Sequence, residues 1–206
     1  MTEAPTRTAS TRSRKVKALL AGGLVLGVGA AVTLAAWTDQ EWAEGVFGAG
    51  TFNIQGSVDG ETFADHESEG GAADLTFDLT GGDNMFPGAT VAAPFVLQLD
   101  GETSYDATVE LTGASADGAN AEALSYGIIE VGSAAECTAE ATGTQIVPEG
   151  TAMSSIEGAT TIDLVASTDG TAGTPVALCF QVTADDSLAQ RETTTANWQF
   201  VGTSVE

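Results

Sequence analysis

Positive charge is almost absent from most of this 206-residue chain. Arg191 is the only cation after residue 17, and the other five are Arg7, Arg12, Arg14, Lys15 and Lys17. From Trp37 onward there are 28 carboxylates and one base, a formal charge of −27. Such a surface repels nucleic acid and anionic lipid, because both are bound through basic patches. A body without lysine also excludes covalent linkage through a lysine side chain, including internal Lys–Asn bonds.

Histidine is nearly as scarce, with His66 as the single example in the chain. A zinc-protease helix needs two histidines one helical turn apart with a glutamate between them, and one histidine cannot form that pattern. A Ser-His-Asp triad would have to use His66, and no G-x-S-x-G nucleophile turn accompanies it. We therefore expect a non-enzymatic protein without a cofactor, and an extracellular hydrolase that depends on His66 is the enzymatic alternative.

Carboxylates are abundant, and their number weakens any argument from a single pair. Asp185 with Asp186, or Asp83 with Asn84, could supply oxygen ligands to Ca²⁺. The regular spacing of an EF-hand loop is missing, and solvated turns explain the same residues. Calcium binding is therefore kept as an alternative to a protein without a cofactor.

Only two cysteines are present, Cys137 and Cys179. In an exported protein an even number indicates one disulfide, and two buried thiols are the alternative. If Leu178 and Phe180 face the core of a sheet, Cys179 faces the other way, beside Gln181. We therefore predict a disulfide that clips Cys179 to a covering segment around Cys137, outside the main core.

A long apolar run follows the basic head at residues 18–36. A basic start, an apolar middle rich in Gly and Ala, and small residues at the end describe a cleaved signal peptide. The run is also just long enough for a retained membrane anchor. We favour cleavage between Ala35 and Ala36, which makes residues 1–35 a signal helix that is removed. Both alternatives place the acidic body outside the cytoplasm, because the cations of the head all precede the apolar run.

After residue 50 apolar and polar residues alternate in short runs, which is the pattern of half-buried β-strands. The predicted strands lie within residues 51–58, 74–79, 93–100, 105–113, 123–131, 160–167, 175–184 and 195–203. Gly, Pro and Asp residues separate these strands, and we predict a turn at 148–151. At 117–123 a short helix is the alternative to a turn. The sequence therefore predicts an all-β fold, a single antiparallel β-sandwich or jelly roll over residues 48–206.

Residues 36–47 carry an unusual density of large apolar side chains. Trp37, Trp42, Val46 and Phe47 lie there, with acidic residues between them. A strand-like segment with so much apolar surface needs a sheet, either in its own domain or at the open edge of a neighbour. We therefore predict that these residues mediate self-association into a homo-oligomer or homo-polymer.

A set of local patterns recurs from the head to the first strands. The basic head and Gly/Ala-rich run are followed by aromatic-x-Asp, then by F-x-(A/S)-G-T-(F/L)-(N/D)-(I/L), and later by a Pro-Gly turn before a strand. With these patterns the chain resembles the TasA/camelysin family and its actinobacterial relatives, which are exported with a SipW-type signal peptide. The matching residues are Trp37, Asp39, Phe47, Ala49, Gly50, Thr51, Phe52, Asn53, Ile54, Pro87 and Gly88.

The resemblance implies a jelly roll that is exported by a dedicated signal peptidase. In TasA-like members the subunits polymerise into extracellular fibres of the biofilm matrix, and the N-terminal segment of one subunit completes the sheet of the next. This chain departs from the family in its two cysteines, its higher negative charge and its scarcity of lysine. The metalloprotease activity described for camelysin is not expected, because the zinc-ligand pattern is missing.

The expected protein is therefore a secreted, non-enzymatic surface or matrix subunit that self-associates through its N-terminal segment. The alternative is a monomeric binding module on the cell surface that recognises a glycan or Ca²⁺. Contact with a membrane is expected only through an uncleaved signal segment.

Overall fold

The computed structural model describes residues 12, 15–20, 51–77 and 85–205. The chain divides into two compact units, Met1–Phe47 and Gly48–Glu206. In the first unit, residues 12 and 15–20 are helical. No helix within the described part of the chain is long and apolar enough to cross a membrane.

The second unit contains eight described strands and three short 3₁₀ helices. The strands are β1 Ile54–Ser57, β2 Thr90–Leu99, β3 Asp106–Gly118, β4 Leu124–Val131, β5 Thr144–Ala152, β6 Ile162–Leu164, β7 Val176–Ala184 and β8 Thr194–Val205, and the 3₁₀ helices are Glu69–Gly71, Ala121–Ala123 and Ala134–Glu136. They form a five-stranded sheet in the order β1-β2-β7-β4-β5 and a three-stranded sheet in the order β6-β3-β8. Every strand pair is antiparallel, so the predicted all-β fold is confirmed.

The strands bury one face because their apolar residues alternate with polar ones. In β3 the side chains of Ala107, Val109 and Leu111 are buried, whereas those of Glu110 and Thr112 between and beyond them are exposed. The inward-facing side chains are buried also in β4 (Tyr126 and Ile128), β6 (Ile162 and Leu164) and β7 (Leu178, Phe180 and Val182). In β4 and β7 the opposite face is partly buried as well, at Ile129, Ala177 and Cys179.

Aromatic side chains from both sheets meet in the core, and the two sheets therefore form a sandwich. The ring centroids of Phe180 and Trp198 are 4.9 Å apart, and those of Tyr126 and Trp198 are 5.5 Å apart. Phe95 lies 6.0 Å from Phe200. Full burial of one such side chain stabilises the fold by about 1.5–3 kcal/mol. These contacts join β2, β4 and β7 to β8.

The first and last strands of the sandwich meet at Gly202. A Cβ atom on Gly202 would overlap the Cδ1 atom of Ile54 in β1, and it would lie 3.5 Å from Cζ of Phe52. A residue with any side chain would therefore displace Ile54 at this point in β8.

The predicted disulfide between Cys137 and Cys179 is present, with Cα atoms 5.1 Å apart. Cys179 is fully buried, on the face of β7 opposite the main core. It forms a separate small cluster with Ala92 and Ile129, against which Cys137 packs. The disulfide therefore holds a covering segment on the outer face of the five-stranded sheet, as the alternation in β7 predicted.

The predicted strand at 74–79 is wrong over its described residues, because residues 72–77 form no strand. Leu75 and Phe77 nevertheless pack against the main core. Alternation of this kind shows which side chains face the core, and an extended segment can have such alternation without the hydrogen bonds of a sheet.

Two further local predictions differ from the structure. The predicted turn at 148–151 is wrong, since these residues belong to β5. Register shifts in the β4–β5 pairing accommodate Pro148, and Gly150 adopts a φ of 82° that few other residues tolerate. The alternative helix at 117–123 is reduced to the 3₁₀ turn Ala121–Ala123, because β3 continues to Gly118.

Candidate functional site

The edges of the two sheets carry the backbone groups to which a further strand could be added. In the described part of the sandwich these edges are β1 and β5 in the larger sheet, and β6 and β8 in the smaller sheet. The four edges differ in length, in charge and in what covers them.

Three of the edges are protected. β1 has four residues, and on its outer side Gly56 and Ala64 exchange two backbone hydrogen bonds of 3.0 Å. β5 contains Pro148 and Glu149 together with its register shifts, and β6 has three residues with Asp163 at the centre. Short length, proline, inserted residues and charge all hinder the addition of another strand.

β8 is the exception among these edges. It is 12 residues long and contains no Asp, Glu, Lys, Arg or Pro, although the body carries 28 carboxylates. Within the described part of the chain its backbone pairs with β3 alone. β7 is also uncharged, but it is a central strand between β2 and β4. An uncharged sequence is ordinary in a central strand and unusual on a long edge.

The two halves of β8 differ in their surroundings. In the first half, Asn197 Nδ2 donates to Glu69 Oε1 at 3.3 Å, and Thr194 Oγ1 accepts from the Asn120 N–H at 3.2 Å. The second half, residues 199–205, makes no such contact with elements other than β3 in the described hydrogen bonds. This half is the stretch of edge where a strand meets the least obstruction.

The side chains of β8 are exposed on the outer face and half-buried on the inner face. Val201 and Val205 point outward and are 43% and 41% exposed. Trp198 and Phe200 point inward and are only half-buried, although both pack against the core. A half-buried aromatic at a sheet edge keeps apolar surface that a neighbouring strand could cover.

The indole N–H of Trp198 has no hydrogen-bond partner among the described residues. The nearby Tyr126 hydroxyl donates instead to the Ser155 carbonyl oxygen at 2.7 Å. Burial raises the pKa of Tyr126, and the neighbouring indole opposes this rise without reaching hydrogen-bond geometry. Trp198 is therefore held by aromatic packing.

The disulfide loop is fixed by an amide as well as by the cystine. Gln181 Nε2 lies within hydrogen-bond distance of three carbonyl oxygens, at 3.0 Å from Thr138, 3.3 Å from Ala139 and 3.0 Å from Ala141. The alternation in β7 predicted that Gln181 lies beside Cys179. It could not predict this role, because the carbonyls belong to an irregular loop without a sequence signature.

Of the candidate calcium ligands, Asp185 and Asp186 are described, and the carboxylate of Asp185 accepts hydrogen bonds within its own turn. Asp185 accepts hydrogen bonds from the hydroxyl and the backbone N–H of Ser187, at 2.6 and 2.7 Å, and these bonds lower the pKa of Asp185. Asp59 is held similarly: the N–H groups of Thr62 and Glu61 and the Ser57 hydroxyl lower its pKa to about 2. The other predicted pair, at positions 83 and 84, lies outside the described residues.

No arrangement for metal chemistry is found in the described residues. They contain no group of three or more His, Cys, Asp or Glu side chains that could hold a metal ion. His66 is exposed and lies edge-on to Phe95, with ring centroids 6.4 Å apart. An open cleft of ≈ 340 Å³ has Val96 and Ala177 among its lining residues.

The residues predicted to be cleaved or to self-associate are outside the described part of the chain. They are Ala35, Ala36, Trp37, Trp42, Val46 and Phe47. The β8 edge was not predicted as a candidate site. Its uncharged composition is visible in the sequence, but only the strand order shows that this run lies at an edge.

No protein-family model and no curated protein matches the sequence.

Proposed function

We propose that this protein is a secreted, non-enzymatic structural subunit of the cell surface or extracellular matrix. Its subunits self-associate through residues 36–47, in which Trp37, Trp42, Val46 and Phe47 supply the apolar contacts. The resemblance to TasA/camelysin proteins motivates the matrix role, and export by a dedicated signal peptidase is part of the same proposal.

The observation that carries the proposal is the boundary of the sandwich unit. That unit begins at Gly48 and has a continuous buried core of its own, from Val91 to Val182. Residues 36–47 precede that unit, and in the proposal their aromatic side chains pack against a second molecule. Association by strand addition or apolar packing needs no cofactor.

The disulfide agrees with a location outside the cytoplasm, because structural disulfides persist in oxidising compartments. The −27 charge of the body agrees with a protein that remains dispersed until its charge is screened. Assembly by this route should therefore strengthen as salt is added or as carboxylates are protonated.

The proposal is tested by deleting residues 36–47 from the exported protein and comparing assembly by electron microscopy and light scattering. A matched pair of variants separates apolar contact from charge within the same segment. Trp37→Ser with Trp42→Ser should abolish assembly, whereas Asp39→Ser with Glu41→Ser should preserve or strengthen it. The wild-type protein should form polymers more readily as ionic strength rises.

Wild-type protein that stays monomeric at high concentration, in high salt and at low pH, would contradict the proposal. A leader that remains attached in the native material, measured by mass spectrometry, would make residues 36–47 part of a membrane tether instead. Calcium titration by calorimetry examines the alternative, since a saturable, stoichiometric heat would indicate a binding module.

A further inference from the structure

We propose that the β8 edge pairs with the β8 edge of a second copy of this chain, antiparallel and about a two-fold axis. The paired residues are 199–205, and the result is a continuous six-stranded sheet in the order β6-β3-β8-β8-β3-β6. This interface uses no residue of 36–47, so it goes beyond the proposed function and does not depend on it.

The partner at this edge is a β-strand because the edge presents backbone groups and little else. Its 12 residues carry no charge and no proline, and residues 199–205 make no described hydrogen bond outside the β3 ladder. The other described edges are short, covered, interrupted or charged. A strand can therefore be added at β8 with the least desolvation of charge.

Charge argues that the strand comes from a second copy. A basic partner would be drawn to the carboxylates that cover the rest of the body, and not to a neutral strip. Two copies of an acidic chain repel each other, so they approach most easily where carboxylates are set back from the contact. β8 is such a place, because the nearest carboxylates among the described residues of the sheet, Asp106 and Glu110, lie on β3, opposite Val205 and Val201. Glu206 follows the paired residues in the sequence and is not one of them.

The spacing of the strands shows how much repulsion remains. Strands in a sheet are about 4.8 Å apart, so three spacings separate the β3 strands of the two copies, roughly 14 Å in all. The Debye length at physiological ionic strength is about 8 Å. The carboxylates of Asp106 and Glu110 are therefore largely screened from their counterparts in the dimer.

The strand is complementary to itself in this arrangement. A two-fold axis at Gly202 sets Gln199 opposite Val205 and Val201 opposite Thr203, all of them side chains on the outer face. The half-exposed side chains of Val201 and Val205 then gain cover. A seven-residue contact is smaller than a standard stable interface, so the dimer is weak and concentration-dependent.

The test is sedimentation equilibrium of the exported protein and of a chain that begins at Gly48. Thr203→Glu places a carboxylate on the paired edge of each copy and should lower the association constant about fivefold or more. Thr195→Glu is the matched control, with the same change on the same face of β8 but beyond the paired residues, and it should leave association unchanged. Urea unfolding of both variants checks that the sandwich remains folded.

Hydrogen exchange of the backbone amides is a second measurement. It distinguishes pairing of the two β8 edges from a dimer in which two sheets pack face to face. Alternate backbone amides within 199–205, those directed away from β3, should gain protection as protein concentration rises. A dimer that Thr203→Glu and Thr195→Glu affect equally would overturn the proposal, as would the absence of concentration-dependent protection.

The two proposals fail separately. If the exported protein polymerises while the chain beginning at Gly48 stays monomeric in high salt, the β8 dimer is wrong and the proposed function stands. If both chains form only the dimer, self-association through residues 36–47 is wrong and the β8 pairing stands.

Discussion

At Gly202 the absence of a side chain lets the first and last strands of the sandwich approach each other. Ile54 Cδ1 occupies the place that a Cβ atom would take, and Phe52 lies beside it. Protein interiors are packed closely enough that one added methyl group in such a place forces neighbouring atoms to move. This residue therefore sets how closely β1 can pack against β8.

Gly202→Ala should lower the free energy of unfolding by about 1 kcal/mol, because the new methyl group displaces the flexible end of the Ile54 side chain. The measurement is urea-induced unfolding, monitored by tryptophan fluorescence. Gly113→Ala in the neighbouring strand is the control, since its nearest side-chain atom, Gln199 Oε1, would be 3.5 Å away and the change should be within about 0.5 kcal/mol. Equal losses in both variants would contradict this account of Gly202.

At the scale of elements, the alternation of apolar residues predicted which faces of β3, β4, β6 and β7 are buried. It succeeded there because these side chains face the core from strands that are held in a ladder. It failed at 74–77, where Leu75 and Phe77 face the core from an extended segment without a ladder. It also failed at Pro148 and Gly150, whose turn-like sequence is accommodated by an irregular edge strand.

The order of the strands could not be predicted, and for this reason the β8 edge was missed. Composition shows that residues 193–205 are uncharged, and the same holds for β7. The pairing that makes β7 central and β8 an edge depends on contacts between residues far apart in sequence. The disulfide was predictable because the face of β7 on which Cys179 lies follows from its position between Leu178 and Phe180, which is visible in the local sequence.

The disulfide loop yields a prediction at the element scale. Replacing Cys137 and Cys179 by Ala should lower the free energy of unfolding by about 2–4 kcal/mol, since the cystine closes a long loop in the unfolded chain. It should also let the covering segment open, so that a glutamate-specific protease cleaves faster at Glu136 and Glu140, whose side chains are already exposed in the folded protein. Unfolding curves and mapped cleavage products are the measurements.

Gln181→Ala is the comparison for that loop. It removes the side-chain amide that lies within hydrogen-bond distance of three carbonyl oxygens, and it leaves the cystine in place. Its expected cost is about 1 kcal/mol. Cleavage that is as fast as in the variant without cysteines would mean that the disulfide alone does not hold the segment and that the amide is needed as well.

At the scale of the whole molecule, net charge opposes folding as well as association. The body carries −27, and most of these carboxylates are exposed. Salt shortens the Debye length from about 30 Å at 0.01 M to about 3 Å at 1 M. Self-repulsion within one folded sandwich should therefore fade over this range.

The free energy of unfolding of the monomer should accordingly rise with NaCl, measured by urea unfolding at low protein concentration. Glu149→Gln combined with Glu157→Gln, two exposed positions, should reduce the slope of stability against salt. A stability that is independent of salt, or that falls as salt is added, would show that charge repulsion is not a significant cost for this fold.

The position of the cystine also has a mechanical consequence. The sandwich begins and ends in edge strands that touch at Gly202, so a pull on its two ends acts first on β1 and β8, while the cystine joins β7 to a loop. Stretching could peel the terminal strands away, but the segment between Cys137 and Cys179, which are separated by 42 in sequence, would stay looped. The oxidised chain would then stop short of its full extension by about 140 Å, a limit that reduction alone would lift.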